Sequence, residues 1–352
     1  MSTLIIPCAG KSSRFPGMKP KWLLTHPDGK LMIEKAIEGM ALEQYDQIVI
    51  TIVQRHIDQH DALNVLRDTL GGIPKLKFCV LPDFTSSASE TIVRTIEALK
   101  ISGPVSIKDS DNFIAIDLPS LNKNFIVGLR ISQDSDITNI QNKSFLRVNE
   151  HGIVVDIIEK RIVSDIICVG MYHFDDAQKI LNAYYNLINS NFSGELYISH
   201  LVSYLLRTES EFFKLVLSKK YSDWGTSREW KLVQRQFATY FIDFDGVLIK
   251  NSGRFGVLNW DNNDQLLLEN CQVVSNKIKE GAQVIITTAR PEKYRARVLE
   301  LLRTVGIKPY QLIMGLNHAP RCLINDFAPS NPYPSAICIN LPRDGNLHDY
   351  LS

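Results

Sequence analysis

The feature that most constrains this fold is an alternation of short apolar runs with longer amphipathic stretches, which starts again late in the chain. This pattern is typical of parallel strands covered by helices. In the first part, strands are predicted at Thr3 to Pro7, Gln47 to Val53, Leu76 to Leu81 and Val105 to Lys108. Helices between them are predicted near Leu31 to Leu42, Asp58 to Leu70 and Ala88 to Lys100. This order predicts a doubly wound α/β opening.

The pattern is less regular in the middle of the chain. Short β-like pieces at 144–148 and 153–158 are followed by two predicted helices, at 176–187 and 195–207, and together they predict a mixed sheet. A new strand at 238–244 follows a helical stretch at 227–236. Further elements are predicted at 283–287, 295–305, 322–324 and 336–340. The 352 residues exceed the roughly 250 to 300 at which single cores usually divide, so we predict two Rossmann-like α/β domains, 1–237 and 238–352.

Composition excludes several classes of partner. The formal net charge of +1 argues against a nucleic-acid binder, which would usually carry a strongly basic patch, so a small substrate is expected. The six cysteines lie far apart without a Cys-x-x-Cys pair, which disfavours a zinc site and a disulfide framework and favours a reduced cytoplasmic setting. No apolar run suits a signal peptide or the ~20 residues of a membrane span, so we expect a cytoplasmic protein without membrane association.

The first predicted strand runs into a loop with the sequence Ala-Gly-Lys-Ser-Ser-Arg, residues 9–14. Backbone N–H groups in such a loop can surround an anion without interference from Cβ atoms, and Lys11 and Arg14 can offset phosphate charge. Taken alone, the loop is equally consistent with an ordinary βα turn that exposes basic residues. A second basic cluster, Lys19-Pro20-Lys21, follows it.

Two carboxylates, Asp109 and Asp111, come just past the strand predicted at 105–108. Open α/β sheets bind ligands at this end of their strands. Mg²⁺ prefers one or two carboxylates together with substrate phosphates, so the pair suits that ion. The same Asp-Ser-Asp-Asn sequence is also favourable in a turn.

Together, the Gly-x-x-x-Arg loop and the Pro-Lys pair resemble the nucleoside triphosphate transferases of the sugar-nucleotide pyrophosphorylase kind, over about residues 1–237. The resemblance implies that Arg14 holds the β- and γ-phosphates and that Lys21 stabilises charge on the α-phosphate. It also implies that Asp111 and Asp223, the latter just before a Trp-Gly-Thr segment, bind the metal. Cys8 and Lys11 depart from the commonest version of the loop, which leaves the choice of nucleotide open.

The resemblance extends to residues that would bind the substrates. Glu159 and Lys160 correspond to the acceptor-binding Glu-Lys-Pro segment, with Arg161 in place of proline, and Gly170 begins a strand like the family's Gly-x-Tyr-x-Phe. Ser87 and Ser89 lie in the region that reads the base, although they are also consistent with a helix N-cap. The residues implied to contact the nucleotide are Ala9, Gly10, Lys11, Ser12, Ser13, Ser87, Ser89 and Asp109. The implied reaction is attack of an acceptor phosphate oxygen on the α-phosphorus, with release of pyrophosphate.

Asp243 and Asp245 stand one residue apart at the end of an apolar run, just before Gly246. Residues i and i+2 of a strand point the same way, so one carboxylate can attack phosphorus while the other transfers a proton. The sequence Asp-x-Asp-Gly-Val-Leu resembles motif one of the haloacid dehalogenase-like phosphatases, and this resemblance covers the rest of the chain. It implies that Asp243 is the nucleophile, that Asp245 is the acid/base, and that both lie at a Mg²⁺ site.

Two later segments match the same phosphatase family. Thr288, in Thr-Thr-Ala-Arg, is implied to bind the transferring phosphate, and Asp326 is implied to bind Mg²⁺. Asn325 replaces an acid of the family at the second segment.

The family's phosphate-binding lysine is ambiguous among Lys293, Lys308 and Arg321, and Lys308 ranks first on chemical type. The short spacing of the motifs leaves no room for a large cap domain, so we expect a capless domain. Since such a site must exclude water, its lid is expected from the transferase domain or a neighbouring subunit, which predicts a homo-oligomer.

We therefore predict a bifunctional enzyme of nucleotide-activated sugar or polyol synthesis for surface polysaccharide. Its first domain would transfer CMP from CTP to a sugar or polyol phosphate, CTP being favoured by the loop's resemblance to cytidylyltransferases, and its second would hydrolyse a different phosphomonoester. One alternative is a choline-phosphate-like cytidylyltransferase, which a ring of acidic and aromatic residues near Glu159 would support. Another is an inactive C-terminal domain that serves oligomerisation or regulation, for which Asn325 argues.

Overall fold

The computed structural model describes residues 1–133, 137, 139–190, 192–251, 260, 265–326 and 335–351. The chain divides into two compact units, Met1–Trp230 (unit 1) and Lys231–Ser352 (unit 2). Among the described residues, no helix is long and apolar enough to cross a membrane.

Unit 1 is built from strands and helices that largely alternate along the chain. Its strands are β1 (Thr3–Pro7), β2 (Gln47–Val53), β3 (Leu76–Leu81), β4 (Val105–Lys108), β5 (Asn112–Ala115), β6 (Phe125–Arg130), β7 (Ser144–Val148), β8 (Ile153–Glu159), β9 (Ile166–Phe174), β10 (Phe213–Leu217) and β11 (Lys220–Asp223). Its helices are α1 (Met32–Ile37), α2 (Gln54–His60), α3 (Ala62–Leu70), α4 (Ala88–Leu99), α5 (Ala177–Asn189) and α6 (Ile198–Thr208), and α7 (Ser227–Gln236) spans the division between the units.

Within the described part of unit 1, nine strands form one mixed sheet in the order β3-β2-β1-β4-β9-β6-β10-β8-β7. β3, β2, β1 and β4 are parallel, whereas β9 runs antiparallel to β4 and β6. β7 and β8 form an antiparallel hairpin. β5 and β11 pair separately in a short antiparallel ribbon that the sequence pattern did not predict. The predicted mixed sheet is therefore confirmed.

Apolar side chains cover both faces of the large sheet. In β1, Leu4 and Ile6 belong to one buried cluster and Ile5 to the other, because successive side chains of a strand point to opposite faces. Residues of α4, α5 and α6 join the cluster of Ile5, and residues of α1 and α3 join the other. Helices thus cover both faces, as a doubly wound fold requires.

Two predicted helices differ in the structure. The helix predicted at 31–42 ends at Ile37, and Gly39 follows with a φ of 77°, a left-handed conformation that ends a helix readily. The single helix predicted at 58–70 is instead α2 and α3, separated by Asp61 with a φ of 49°. An aspartate tolerates this conformation better than most residues, so the break falls there.

Unit 2 has a three-stranded parallel sheet in its described part, in the order β12 (Thr239–Asp243), β13 (Gln283–Thr287) and β14 (Gln311–Ile313). Its helices are α8 (Leu268–Glu280), α9 (Arg295–Thr304) and α10 (His348–Leu351). The strands predicted at 322–324 and 336–340 are wrong, since both segments lack regular structure and Ile324 is 90% exposed. Apolar runs this short are compatible with a strand and with an extended loop, and β14 was missed for the same reason.

Candidate active site

The β5–β11 ribbon brings two distant aspartates together. β4 ends at Lys108, the chain turns through residues 109–111, and β5 then pairs with β11 so that Asn112 lies opposite Asp223. The backbone amide of Trp224 donates to the carbonyl of Asp111 at 2.9 Å. The two predicted metal ligands, Asp111 and Asp223, therefore come from neighbouring positions of one ribbon.

Gly225 marks the point where the predicted side chains converge. A Cβ on this residue would lie 3.2 Å from Oδ2 of Asp111, 3.2 Å from Oδ1 of Asp223 and 3.7 Å from a guanidinium nitrogen of Arg14. The two carboxylate oxygens are thus no more than about 6.4 Å apart. The structure brings together three residues that the sequence places in three separate motifs.

Two lysines neutralise this pair of carboxylates. Lys21 donates to Oδ2 of Asp111 through its Nζ, and Lys143 donates in the same way to Oδ2 of Asp223. The Nζ of Lys143 also contacts the Tyr221 hydroxyl at 3.0 Å. Only 19% of the Lys21 side chain and 14% of the Lys143 side chain are exposed, so both pairs are largely shielded from water.

The pKa values of Asp109 and Asp111 are shifted in opposite directions by their surroundings. Burial would raise the pKa of Asp111, but Lys21 and Arg14 outweigh it and hold that pKa well below its usual range. Burial and the charge of Asp111 raise the pKa of Asp109. Burial also lowers the pKa of Lys108 to about 8, and its Nζ donates to the backbone carbonyl of Asp109 and to Oδ1 of Asn112. Asp111 is thus the stronger anion and the better cation ligand.

The predicted phosphate loop follows the carboxyl end of β1. Ala9 is buried and its carbonyl accepts from the amide of Thr85 at 3.2 Å, whereas Gly10, Lys11 and Ser13 are exposed. Among the described residues, no atom lies within 4 Å of the position of a Cβ on Gly10. This leaves open space beside the loop for an anion.

Ser12 connects the loop to the second basic cluster. Its φ is 51°, and its Oγ accepts from the backbone amide of Lys21 at 3.2 Å. The Nε1 of Trp22 donates to the carbonyl of Cys8 at 3.2 Å. These bonds fix Lys21 against the loop that the sequence predicts to bind phosphate.

The two serines predicted to contact the base have other surroundings. Ser87 caps α4, because its Oγ accepts from the amide of Glu90 at 3.1 Å. Ser89 is fully buried, and its hydroxyl has no hydrogen-bond partner among the described residues. Ser87 is therefore the helix N-cap that the sequence analysis gave as the alternative, and Ser89 is not at the surface in this structure.

Gly170, predicted to contact the acceptor, instead makes room for Asp109. Its φ is 74°, and a Cβ would lie 2.2 Å from Oδ2 of Asp109 and 2.7 Å from Nδ2 of Asn112. The Gly170 carbonyl also accepts from the Asp109 amide at 2.8 Å. Only glycine fits here, since the left-handed backbone and the close approach both exclude a side chain.

The predicted acceptor pair is surrounded by acidic and aromatic groups. Glu159 accepts from the Ser199 hydroxyl at 2.7 Å and from Ser144. The Nζ of Lys160 lies 4.3 Å from the ring centroid of Tyr197, whose hydroxyl donates to Glu195 at 2.6 Å. The Nζ of Lys160 also donates to that hydroxyl, so an ammonium group lies at the hydroxyl end of a tyrosine beside a carboxylate.

Lys143 links this acceptor region to the two aspartates. Because β7 and β8 form a hairpin, the amide of Lys160 donates to the carbonyl of Lys143 at 3.0 Å, while the Lys143 side chain reaches Asp223. The charges of Asp109 and Glu159 also both add to the effect of burial in raising the pKa of Tyr172. The predicted acceptor and metal residues thus belong to one connected network.

The residues at Gly225 fit a magnesium ion. Asp111 and Asp223 offer the hard carboxylate oxygens that Mg²⁺ prefers, and an oxygen of each lies 3.2 Å from the Cβ position at Gly225. In the part of the chain that the structure describes, no three His, Cys, Asp or Glu side chains are grouped for a metal. A metal held by these two residues would therefore take its other ligands from substrate phosphates and water.

In unit 2, Asp243 is the last residue of β12 and Asp245 follows it, at the carboxyl end of the strand as predicted, but the two have different partners. Asp245 accepts from Arg290 through both of its oxygens, the shortest distance being 2.7 Å, and from the Thr288 hydroxyl at 2.8 Å. Arg290 is 1% exposed and also packs over the Phe244 ring. The side chains of Asp245 and the buried Thr288 are thus hydrogen-bonded to each other, and Asp245 is also paired with a buried arginine.

Asp243 is exposed as a residue and lies near two basic groups. Its carboxyl group is partly shielded from water by the surrounding atoms, and this desolvation and the charge of Asp245 raise the pKa of Asp243 to about 6, while Arg321 and His318 oppose that rise. Arg321 follows β14 and therefore lies near the carboxyl ends of the strands. Lys308 precedes β14, so the structure places it toward the amino ends, away from Asp243. Arg321, ranked below Lys308 from the sequence, is a cation whose charge acts on Asp243 in the described part of unit 2.

The predicted metal ligand Asp326 is exposed and lies in a segment without regular structure. Its carbonyl accepts from the Ser335 hydroxyl at 2.6 Å, and the Asn325 amide donates to the same hydroxyl at 3.0 Å. The described residues do not group Asp326 with Asp243 and Asp245 as three metal-ligating side chains. The Mg²⁺ site that the resemblance implied in unit 2 stays a prediction, and Asp245 would have to leave Arg290 to take part in it.

Sequence reasoning missed three residues of these networks: Lys143, Tyr197 and Arg290. Lys143 and Tyr197 lie outside every motif, and only the β7–β8 pairing and the start of α6 bring them to the site. Arg290 stands within the Thr-Thr-Ala-Arg segment. The sequence could have pointed to Arg290, because it closely follows a predicted buried strand, and a buried arginine needs a carboxylate partner.

No family model and no curated protein matches this chain. Among solved structures, the chain is similar to the nucleoside-diphosphate-sugar pyrophosphorylase from Vibrio cholerae RC9, with a TM-score of 0.55 and 21% identity over 66% of this chain and 99% of that one. It is also similar to the inositol-1-phosphate CTP transferase from T. maritima, with a TM-score of 0.51 and 14% identity over 66% of this chain and 94% of that one. Two thirds of the chain thus have the fold on which these nucleotidyltransferases are built.

Proposed function

We propose that unit 1 transfers a nucleotidyl group from a nucleoside triphosphate to a small phosphorylated acceptor. The observation that carries this proposal is the convergence of Asp111, Asp223 and Arg14 around Gly225, with Lys21 and Lys143 paired to the two carboxylates. Such a set suits a substrate that brings several phosphate charges and a divalent cation together. The fold shared with a pyrophosphorylase and a CTP transferase supports the same class of reaction.

In this reaction an oxygen of the acceptor phosphate forms a bond to the α-phosphorus, and the bond from that phosphorus to the bridging β-phosphate oxygen breaks. Pyrophosphate leaves with the electron pair, so the protein supplies no nucleophile. Lys21, fixed against the loop by its amide bond to Ser12, holds charge at the α-phosphate, and Arg14 holds the departing phosphates. Held by Asp111 and Asp223, Mg²⁺ would offset phosphate charge.

We propose CTP as the nucleotide and a sugar or polyol phosphate as the acceptor. Similarity to a CTP transferase of inositol 1-phosphate supports both choices. Lys160 supports a phosphorylated acceptor, because it lies close to the aspartate pair. Its backbone amide donates to the carbonyl of Lys143 at 3.0 Å, and the side chain of Lys143 pairs with Asp223. A cation at this position would orient the attacking phosphate.

An amino alcohol phosphate is the second candidate for the acceptor. It is favoured by one observation, the Tyr197 ring with an ammonium group 4.3 Å from its centroid and Glu195 on its hydroxyl. His200 and Phe192 add two more rings, with centroids 4.7 Å apart. Aromatic rings with carboxylates bind substrate ammonium groups, so an acceptor amine could replace Lys160 there.

For unit 2 we propose phosphomonoester hydrolysis with Asp243 as the nucleophile, acting on a phosphate other than the transferase acceptor. The open carboxylate at the end of β12, with Arg321 and His318 nearby, supports it. The competing proposal is a non-catalytic oligomerisation or regulatory unit. The pairing of Asp245 with Arg290 and the exposed Asp326 favour this second proposal.

The full proposal is a bifunctional enzyme in the synthesis of a nucleotide-activated sugar or polyol for surface polysaccharide. A phosphatase acting on the transferase's own acceptor would remove the group that the reaction needs. The two activities therefore require different phosphate substrates.

The transferase proposal is tested by pyrophosphate release across the four common nucleoside triphosphates, each with sugar, polyol and amino alcohol phosphates. We expect release that needs both an acceptor and Mg²⁺ and that falls at least about a hundredfold in Asp111→Asn. The matched control is Asp117→Asn, because Asp117 is exposed and pairs only with the surface residue Lys219 among the described residues. Release without any acceptor, or an unchanged rate in Asp111→Asn, would contradict the proposal.

The two proposals for unit 2 are separated by phosphate release from p-nitrophenyl phosphate and a phosphoester panel. Release that disappears in Asp243→Asn supports the phosphatase. Absence of release from every ester, with unchanged transferase activity in Asp243→Asn, supports the non-catalytic unit.

A further inference from the structure

Lys143 is the least expected member of the site, because it pairs with a residue that should bind a cation. Its Nζ donates to Asp223 and contacts the Tyr221 hydroxyl at 3.0 Å. Only 14% of its side chain is exposed, so its positive charge neutralises Asp223 at a place largely shielded from water, as a metal ion would. A lysine in this place and a metal on Asp223 compete for the same carboxylate.

Glu229 is a second carboxylate with which the Lys143 ammonium group can pair. This residue is 4% exposed, and its Oε2 accepts from the Thr226 amide at 2.9 Å. Its Oε1 is buried and has no hydrogen-bond partner among the described residues. A buried carboxylate oxygen without a partner is costly, so it should attract a nearby donor.

The two residues are electrostatically coupled. Asp223 Oδ1 accepts from the Gly225 amide at 3.0 Å, and Glu229 Oε2 accepts from the amide of the next residue, Thr226, at 2.9 Å, so both carboxylates are held by adjacent backbone amides. Burial lowers the pKa of Lys143, and the charge of Glu229 opposes this effect. Lys143 thus lies beside one carboxylate that it already bonds and near a second that has an unsatisfied oxygen.

We propose that Lys143 is a counter-ion with two positions: it pairs with Asp223 when no metal is bound, and it moves to Glu229 when a divalent cation takes Asp111 and Asp223. This inference rests on the proposed function, since it assigns the metal to that aspartate pair. Its consequence is that Lys143 has a carboxylate partner in both states, Asp223 without the metal and Glu229 with it.

The proposal predicts opposite effects for two neighbouring substitutions. Lys143→Met removes the competitor, so free Mn²⁺ should bind more tightly, on the order of tenfold, within the 5- to 150-fold range typical of coupled sites. Glu229→Gln keeps an oxygen for the Thr226 amide but weakens the second position, so Mn²⁺ should bind more weakly by a similar factor. In Lys143→Met/Glu229→Gln, the second substitution should add nothing, because its effect acts through Lys143.

The experiment is a titration of the full chain with Mn²⁺ alone, followed by electron paramagnetic resonance of the free ion. The binding component to follow is the one that Asp111→Asn removes, so any Mn²⁺ bound elsewhere is excluded. Lys220→Met is the matched control, since Lys220 is exposed and lies in β11 with Asp223, and its Mn²⁺ affinity should equal that of the wild type. If Lys143→Met fails to fold, Tyr221→Phe replaces it as the test. This variant removes the hydroxyl beside Nζ of Lys143, so its affinity for Mn²⁺ should rise by a few-fold.

Unchanged or weaker Mn²⁺ binding in Lys143→Met would overturn the proposal. A Glu229→Gln effect that persists in the double variant would overturn it as well, because Glu229 would then act without Lys143. The titration needs no nucleotide and no turnover, so it decides on Lys143 even if the chain transfers no nucleotidyl group in the assays above.

Discussion

Gly225→Ala places one methyl group at the point where the candidate site converges. The new Cβ would lie 3.2 Å from a carboxylate oxygen of Asp111 and 3.2 Å from one of Asp223. These contacts are a few tenths of an ångström shorter than ordinary van der Waals contact, and the Gly225 backbone is not in the left-handed region. The neighbours must move slightly, and the unfolded chain loses some freedom, so we expect unfolding free energy to change by less than about 1 kcal/mol.

The effect on the site should be far larger. Mg²⁺ demands near-ideal octahedral geometry with oxygen ligands at about 2.1 Å, and an ion held by Asp111 and Asp223 would need phosphate oxygens or waters beside the two carboxylates. A methyl group 3.2 Å from an oxygen of each carboxylate would take part of that space. Nucleotidyl transfer should fall on the order of a hundredfold.

The assay is pyrophosphate release as a function of Mg²⁺ concentration, together with urea denaturation of the same samples. Gly72→Ala is the control, because no described atom lies within 4 Å of its Cβ position and its φ is not positive. We expect Gly72→Ala to behave as the wild type in both measurements. Wild-type turnover and Mg²⁺ dependence in Gly225→Ala would refute the assignment of the metal to these two carboxylates.

Three further predictions concern other parts of the chain. Burial lowers the pKa of His56 to about 4, so between pH ~6.5 and 4 the unfolded chain binds a proton that the folded chain does not, and stability falls as the pH falls. His56→Gln should therefore remove about 2 kcal/mol of the stability loss between pH 7 and pH 5, measured by urea denaturation. Arg290→Met should cost unit 2 about 3 kcal/mol in thermal or urea unfolding, because it leaves Asp245 without its buried partner. Tyr197→Ala should raise the acceptor KM on the order of tenfold with little change in the nucleotide KM, whereas Tyr197→Phe, which keeps the ring and loses only the bonds of the hydroxyl to Glu195 and Lys160, should have a smaller effect.

Each of these has a control. His151 is exposed, so His151→Gln should leave the pH dependence of stability unchanged, and an equal effect from both histidines would contradict the role of burial. Arg303 is exposed on α9, and Arg303→Met should cost unit 2 little. A Tyr197→Ala enzyme with an unaltered acceptor KM would remove this tyrosine from the acceptor site.

The parts of the fold that the sequence predicted are those with strong local signals. β1, β2, β3 and β4 were predicted with their observed bounds because each is a short, mainly apolar segment, and β1, β2 and β4 are buried between two layers of helices. Asp111 could be predicted because polar residues at the carboxyl end of such a strand face the ligand edge. Asp223 required the resemblance, since the short ribbon that pairs it with Asn112 has no periodic signal of its own.

The remaining residues depend on contacts between distant segments. Lys143 reaches Asp223 only because the β7–β8 hairpin folds beside the β5–β11 ribbon, and no spacing along the chain encodes that approach. Ser89 lies beside a good N-cap sequence, yet the amphipathic register of α4 turns it inward. Lys308 was chosen on chemical type alone, and the parallel direction of β14 places it at the opposite end of the strand from Arg321.

The central claim is that an acceptor phosphate oxygen attacks the α-phosphorus at the Asp111–Asp223 site, and an isotope label tests it most directly. The acceptor phosphate is labelled with ¹⁸O in its non-bridging positions, and the products with the preferred nucleotide are followed by ³¹P NMR. The account predicts a pyrophosphate diester with ¹⁸O in the new bridge, shifting both phosphorus signals, and loss of this product in Asp223→Asn. Formation of unlabelled nucleoside monophosphate from water attack, or a labelled product that persists in Asp223→Asn, would contradict it.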